Sequence, residues 1–200
     1  TGANMGGKSV ALRSAGLAVA MAQMGLLVPA KACSLSLRDF IYYSQQEESP
    51  RQGLSTFGTE IHALAKVLPL RGQKGLYLLD EPARGTNPWE GAALVKSIVI
   101  WLMTGDSITL AATHFPGLSQ VAGIDHLQVA GLTGLAAKIQ EIKAQDLKSL
   151  HQLMDYSLVP GKGEIPRDAL RVAAFLGLAP EIVENASQEL GIAPQEVLDK

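Results

Sequence analysis

The segment Thr1-Gly2-Ala3-Asn4-Met5-Gly6-Gly7-Lys8-Ser9 follows the pattern G-x-x-x-x-G-K-S, with a helix-forming run directly after it. Glycines at this spacing let the backbone curl so that successive N–H groups point at phosphate oxygens. The positive end of the following helix adds to that attraction. Lys8 is placed to reach β- and γ-phosphates, and the Ser9 hydroxyl to ligate Mg²⁺. Gly2, Ala3, Asn4, Met5, Gly6, Gly7, Lys8 and Ser9 are therefore read as one nucleotide-binding segment for ATP with Mg²⁺. The plain alternative is a glycine-rich turn that matches by chance, and it loses ground once Leu76-Tyr77-Leu78-Leu79-Asp80-Glu81 is read.

That second segment is an apolar run delivering two adjacent carboxylates to the carboxyl end of a buried strand, where open α/β sheets bind their ligands. Alternation along a strand predicts that Asp80 and Glu81 face opposite sides. Asp80 is expected to hold Mg²⁺, and Glu81 to polarise or position the attacking water. A helix N-cap followed by a first-turn acid is the structural alternative, with Pro82 next in line. The strand expected at Ile108 to Thr113 ends in His114, where an imidazole would contact the γ-phosphate or the water. His62, His126 and His151 lack such a placement and read as surface or half-buried histidines.

A third segment, Gly53-Leu54-Ser55-Thr56-Phe57-Gly58, opens a helix, so hydroxyls and free N–H groups gather at a positive end. One subunit has no use for two γ-phosphate sites. Ser55 and Thr56 are thus expected to complete the nucleotide pocket of a neighbouring subunit, against the alternative of an ordinary Ser N-cap. Arg84, in the polar loop after the carboxylates, fits either a cross-interface contact or a surface position.

The elements that must position these residues follow from periodicity. Helices are expected over Val10 to Met24, Ser55 to Leu68 (ended by Pro69) and Glu90 to Met103, the last after a turn at Asn87-Pro88. Buried parallel strands are expected at Gly75 to Leu79 and Ile108 to Thr113, with a short strand over Phe40 to Tyr43. His126 to Ala130 and Met154 to Val159 read as edge strands around a loosely patterned stretch, Ala136 to Gln152. Two short helices, Arg167 to Leu176 and Pro180 to Leu190, close the chain. Strands alternating with helices imply an α/β fold with a mainly parallel sheet and a short helical tail.

Two hundred residues, 47% of them apolar, suffice for one domain with an appendage. A net charge of −2 and a pI near 6.1 offer no general attraction to nucleic acid, so any DNA contact would be local or made by other domains. The single cysteine, Cys33, allows no internal disulfide and fits a reducing, cytoplasmic setting. Arg13, Ser14 and Gln23 interrupt the apolar stretch from Val10 to Val28, which argues against a membrane span. A phosphate loop ordinarily follows a central strand, so the natural protein is expected to continue on the N-terminal side.

Taken together, Thr-Gly-x-Asn-Met-Gly-Gly-Lys-Ser, Ser55-Thr56-Phe57, Asp80-Glu81 with Arg84-Gly85-Thr86, and Ala112-Thr113-His114 resemble the ATPase domain of the MutS family over nearly the whole chain. Asp155-Tyr156, Pro166 and Ala179-Pro180-Glu181 look like that family's C-terminal dimerisation helices. The resemblance implies a P-loop NTPase of the ABC type over residues 1–160 and a helix-turn-helix dimerisation tail over residues 161–200. It also implies a homodimer with composite ATP sites, in which nucleotide state drives conformational change. Two functions follow within the resemblance. One is DNA mismatch repair, with DNA bound through domains outside this chain. The other is reactivation of a lysine aminomutase client by a MutS-like ATPase, suggested by Gly53-Leu54 before Ser55 and by Asn87-Pro88-Trp89-Glu90-Gly91.

Overall fold

The computed structural model describes residues 1–2, 7–44, 55–115, 117–132, 154–161 and 168–191. The chain packs as two units: residues 8–122, and residues 1–7 with 123–200.

In the unit of residues 8–122, helix α1 (Lys8–Gln23) precedes strand β1 (Phe40–Ser44), helix α2 (Thr56–Val67), strand β2 (Gly75–Asp80), helix α3 (Pro88–Met103) and strand β3 (Ile108–Ala112). The strands form a parallel sheet in the order β1-β2-β3. Side chains of β2 alternate between two apolar clusters. Tyr77 and Leu79 pack with Leu64 of α2 and with Ile98 and Leu102 of α3, while Leu76 and Leu78 pack with Leu12 of α1 and with Ala112. Both faces of β2 are covered by helices, which explains why its sequence is a continuous apolar run instead of an alternating one. Close approach of α1 needs Gly16: a Cβ there would lie 2.5 Å from Leu78 Cδ1.

Helix α2 ends at Val67, just ahead of Pro69 as expected, and the chain continues in a 3₁₀ segment, Leu68–Gly72, whose first turn holds Pro69 where no proline N–H is needed. Two expectations change in detail. The third strand is not fully buried: Ile108 is 46% exposed, the three residues after it are half-buried, and only Ala112 at its end is buried. As an outer strand of the described sheet, β3 is covered less than β2. Helix α3 starts at Pro88, two residues before Glu90, because Asn87 Oδ1 accepts the Trp89 N–H at 2.9 Å and proline suits the first helical position.

In the other unit, β4 (Leu127–Leu132) and β5 (Met154–Pro160) pair antiparallel with each other, with an irregularity between Val129 and Gly131. They form a separate two-stranded sheet among the described residues and are not edges of the parallel one. Thr1 extends along β4, its carbonyl accepting the Val129 N–H at 3.0 Å. Helices α4 (Asp168–Phe175) and α5 (Pro180–Glu189) pack through Val183 against Leu170 and Ala174. The stretch Ala136 to Gln152, with His151, lies outside the described residues. No described helix is long and apolar enough to cross a membrane.

Candidate nucleotide site

Ala3, Asn4, Met5 and Gly6 lie outside the described residues. Of the remainder of that segment, Gly2 and Gly7 belong to the unit containing β4 and β5. Gly7 has φ 82 and lies against the Tyr156 ring, so that a Cβ would sit 3.0 Å from Cδ1. Lys8 and Ser9 open α1.

Around the carboxyl end of β2 the geometry is specific. Ser9 Oγ donates to Asp80 Oδ1 at 2.9 Å, and Tyr43 Oη donates to Asp80 Oδ2 at 2.8 Å. Arg13 Nε in turn donates to Tyr43 Oη at 2.9 Å. Lys8 Nζ lies 3.7 Å from Glu81 Oε1, and Arg84 reaches Glu81 Oε2 at 3.1 Å. Lys8 is only 8% exposed. Its burial pulls the ammonium pKa below the usual lysine value, against the opposing pull of Glu81 and Asp80. Burial raises the Tyr43 pKa, keeping the phenol in its donating form.

The carboxylates do not face opposite ways as strand alternation predicts. Strand β2 ends at Asp80, and Glu81 takes φ 47, with Ala83 at φ 59 after Pro82. This left-handed turn brings Glu81 back to Lys8, next to the Ser9 that Asp80 meets, so both acids converge on the start of α1. Left-handed backbone costs a non-glycine residue about 1–2 kcal/mol, and neighbouring elements hold it in place. The Glu81 N–H donates to the Ala112 carbonyl at 2.8 Å, tying the turn to β3. The Ala83 N–H donates to Glu60, at 3.2 Å from each carboxylate oxygen. Glu60 is buried on α2 and also accepts from Ser44 Oγ at 3.4 Å. Burial raises its pKa, with the Ala83 and Ser44 bonds opposing. Under this turn, α3 comes so close that a Cβ at Gly91 would meet Phe115 at 2.9 Å and the Ala83 carbonyl at 3.1 Å.

His114 stands two residues beyond β3, exposed, its ring 4.8 Å from that of Phe115. The buried Thr113 before it accepts the Phe115 N–H at 3.0 Å. Ser55 is the N-cap of α2, its hydroxyl accepting the Gly58 N–H at 3.1 Å. The ordinary-cap alternative therefore describes its bonding within this chain. Ser55 and Thr56 are exposed, and the Thr56 hydroxyl and Phe57 border Gly85. Among the described residues neither Ser55 nor Thr56 hydrogen-bonds to the Lys8, Ser9, Asp80 and Glu81 group. His126 is half-buried and bonded to Thr1 Oγ1 at 2.7 Å, while His62 is exposed.

Sequence reasoning overlooked Tyr43 and Glu60. Tyr43 lay in a segment read only as a strand, although a polar group near the carboxyl end of a strand neighbouring β2 is a usable signal. Glu60 follows Ser55 on α2, and nothing in its spacing announces the distant Ala83.

A hydroxyl and a carboxylate oxygen 2.9 Å apart form a hard-oxygen pair suited to Mg²⁺, which keeps several waters and takes few protein ligands. Among the described residues no group of three or more His, Cys, Asp or Glu could hold a metal by itself.

A profile of the MutS domain V family matches residues 1–192. The chain belongs to the MutS family. Its similarity to individual members extends over nearly all its length. It is 36% identical to endonuclease MutS2 of Thermomicrobium roseum over 198 residues, covering 98% of this chain and 23% of that protein. It is 33% identical to endonuclease MutS2 of Staphylococcus epidermidis over 199 residues, covering 98% and 24%. With the MutS2 of Ruminiclostridium cellulolyticum the identity is 36% over 192 residues, covering 95% and 23%. The chain thus spans about a quarter of the length of these relatives. The match places the Lys8–Ser9 and Asp80–Glu81 corner inside a MutS C-terminal domain.

Proposed function

We propose that this domain binds and hydrolyses ATP with Mg²⁺ and couples nucleotide state to conformational change, as an ABC-type module of the MutS family. The observation carrying this reading is the convergence of Lys8, Ser9, Asp80 and Glu81 at the start of α1. Lys8 and the α1 N-terminus attract the phosphates, and Lys8 exchanges its partial pairing with Glu81 for phosphate oxygens. Ser9 and Asp80 would hold Mg²⁺, which when bound neutralises phosphate charge and orients the terminal group. Glu81, released from Lys8, accepts a hydrogen bond from the attacking water and positions it, and His114, two residues beyond β3, is assigned to the terminal phosphate or that water.

Ser55 and Thr56 are exposed at a helix N-terminus, which supports a homodimer in which each α2 closes the partner's phosphate site. The carriage of DNA mismatch repair is proposed for the longer assembly, with DNA held by domains outside this chain. The endonuclease name belongs to relatives about four times as long, and no strand-cleaving step is assigned to these residues. The second reading, remodelling of an enzyme client such as a lysine aminomutase without DNA, draws on Gly53-Leu54 and on Asn87-Pro88-Trp89, whose tryptophan is 85% exposed.

The test is steady-state ATP hydrolysis by the full-length protein that carries this domain, with mismatched duplex, matched duplex or no DNA, and with Glu81→Gln as the blank. Glu81-dependent turnover is expected, and its absence overturns the ATPase reading. A response specific to the mismatch supports repair; turnover indifferent to DNA supports remodelling.

A further inference from the structure

The geometry points to Tyr43 as a positioning residue for Mg²⁺ at this site, fastening the second oxygen of Asp80 to helix α1 through Arg13. The inference rests on the Mg²⁺–ATP reading above. Ser9 and Arg13 are four residues apart, so they lie one above the other on one face of α1. Ser9 bonds Asp80 Oδ1 directly, at 2.9 Å. Arg13 bonds the Tyr43 hydroxyl at 2.9 Å, and that hydroxyl donates to Asp80 Oδ2 at 2.8 Å. The proton arrangement is unambiguous: the guanidinium can only donate, so the phenol accepts from it and passes its single hydrogen to the carboxylate.

Both carboxylate oxygens are thereby tied to successive turns of the same helix, and the Asp80 plane cannot rotate independently of α1. A carboxylate with one free oxygen would swing about its χ2 torsion, which is broad. With Oδ2 held, Oδ1 stays beside the Ser9 hydroxyl, the other hard-oxygen donor. Outer partners of this kind orient metal ligands, and removing them weakens metal binding without removing a ligand. Tyr43 also packs, half-buried, against the cluster of Leu12, Leu76 and Leu78, so a test must separate its ring from its hydroxyl.

Tyr43→Phe does this, since it keeps the ring and deletes one oxygen. Calorimetric titration of ATP into the chain in EDTA, then across a series of MgCl₂ concentrations, reads nucleotide and metal separately. In EDTA the variant is expected to bind ATP as wild type does. The MgCl₂ concentration that half-maximally tightens ATP binding is expected to rise about tenfold. Arg13→Gln is expected to shift it in the same direction by less, and the double variant no further than Tyr43→Phe alone. An unshifted Mg²⁺ midpoint in Tyr43→Phe overturns the inference, as does an equal loss of ATP affinity in EDTA and in Mg²⁺, the mark of a merely structural role. Additive effects of Arg13 and Tyr43 remove Arg13 from the chain of bonds. A wild-type chain whose ATP binding ignores Mg²⁺ overturns the Mg²⁺–ATP reading itself, a result distinct from a variant that fails to shift a wild-type response.

Discussion

The carboxyl end of β2 and the N-terminus of α2 are both polar clusters, yet their bonding differs. At β2, Asp80 accepts from Ser9 and Tyr43, Glu81 pairs with Lys8 and Arg84, and the turn between them is pinned by Ala112 and Glu60. At α2, among the described residues, the Ser55 hydroxyl caps the Gly58 N–H, and the exposed Thr56 borders Gly85. The first cluster has its internal charges compensated in advance, so a ligand there must exchange partners with Lys8 and Glu81. Among the described residues, the second holds no charged pair and leaves Ser55 and Thr56 exposed. Glu60 connects them, since it sits on α2 and holds the Ala83 N–H of the carboxylate turn.

Variants sharpen this contrast. The largest effect is expected from Glu81→Gln: turnover falls by about 10²–10⁴-fold while ATP binding persists, measured by pairing hydrolysis rates with equilibrium binding. Lys8→Ala is expected to weaken ATP binding itself, by about tenfold or more, because a charge-assisted contact is removed. Equal losses of binding in both variants would erase the division between them. Glu60→Ala leaves the buried Ala83 N–H without its acceptor and is expected to destabilise the fold by about 1–3 kcal/mol, read by denaturant unfolding, whereas Glu60→Gln retains an acceptor and most of the stability. Ser55→Ala is expected to have the smallest effect on the fold, about 1 kcal/mol for a lost N-cap. It should reduce turnover in the dimer while leaving the ATP affinity of an isolated protomer nearly intact. A full loss of affinity in a monomeric sample would break the proposed division between the two clusters.

The pH dependence of Glu60 has a definite sign. Burial raises its folded pKa above the unfolded value, so the native state holds the proton more tightly. Wild-type stability should therefore decline as pH rises from the ordinary carboxylate value through the raised folded one. Glu60→Gln should lack this slope, and unfolding measured across that interval checks it.

Much of the architecture was legible because it is written locally. The apolar run of β2, the 3.6-residue spacing on α2, and Asn87-Pro88 before α3 each announce an element within a few residues. The boundary at Asn87 differed by two residues because a side-chain cap and a proline at the first helical position favour an earlier start. Exposure of β3 was not legible, since Ile-Thr-Leu-Ala-Ala reads as buried whether or not a further element covers it. Nor was the pairing of β4 with β5 in a sheet of their own, because strand propensity does not name a partner.

The sequence by itself determined the types of group available, the order of the elements that carry them, and membership of the MutS family, since the motif, the periodicity and the family match are all properties of the linear chain. Tertiary structure alone decided that both acids turn toward the start of α1, that Tyr43 and Arg13 stand behind Asp80, and that Glu60 braces the turn. The reason is physical. Strand alternation predicts the side of a residue only while the strand continues, and a left-handed Glu81 is tolerated only where distant partners such as Ala112 and Glu60 hold the chain around it.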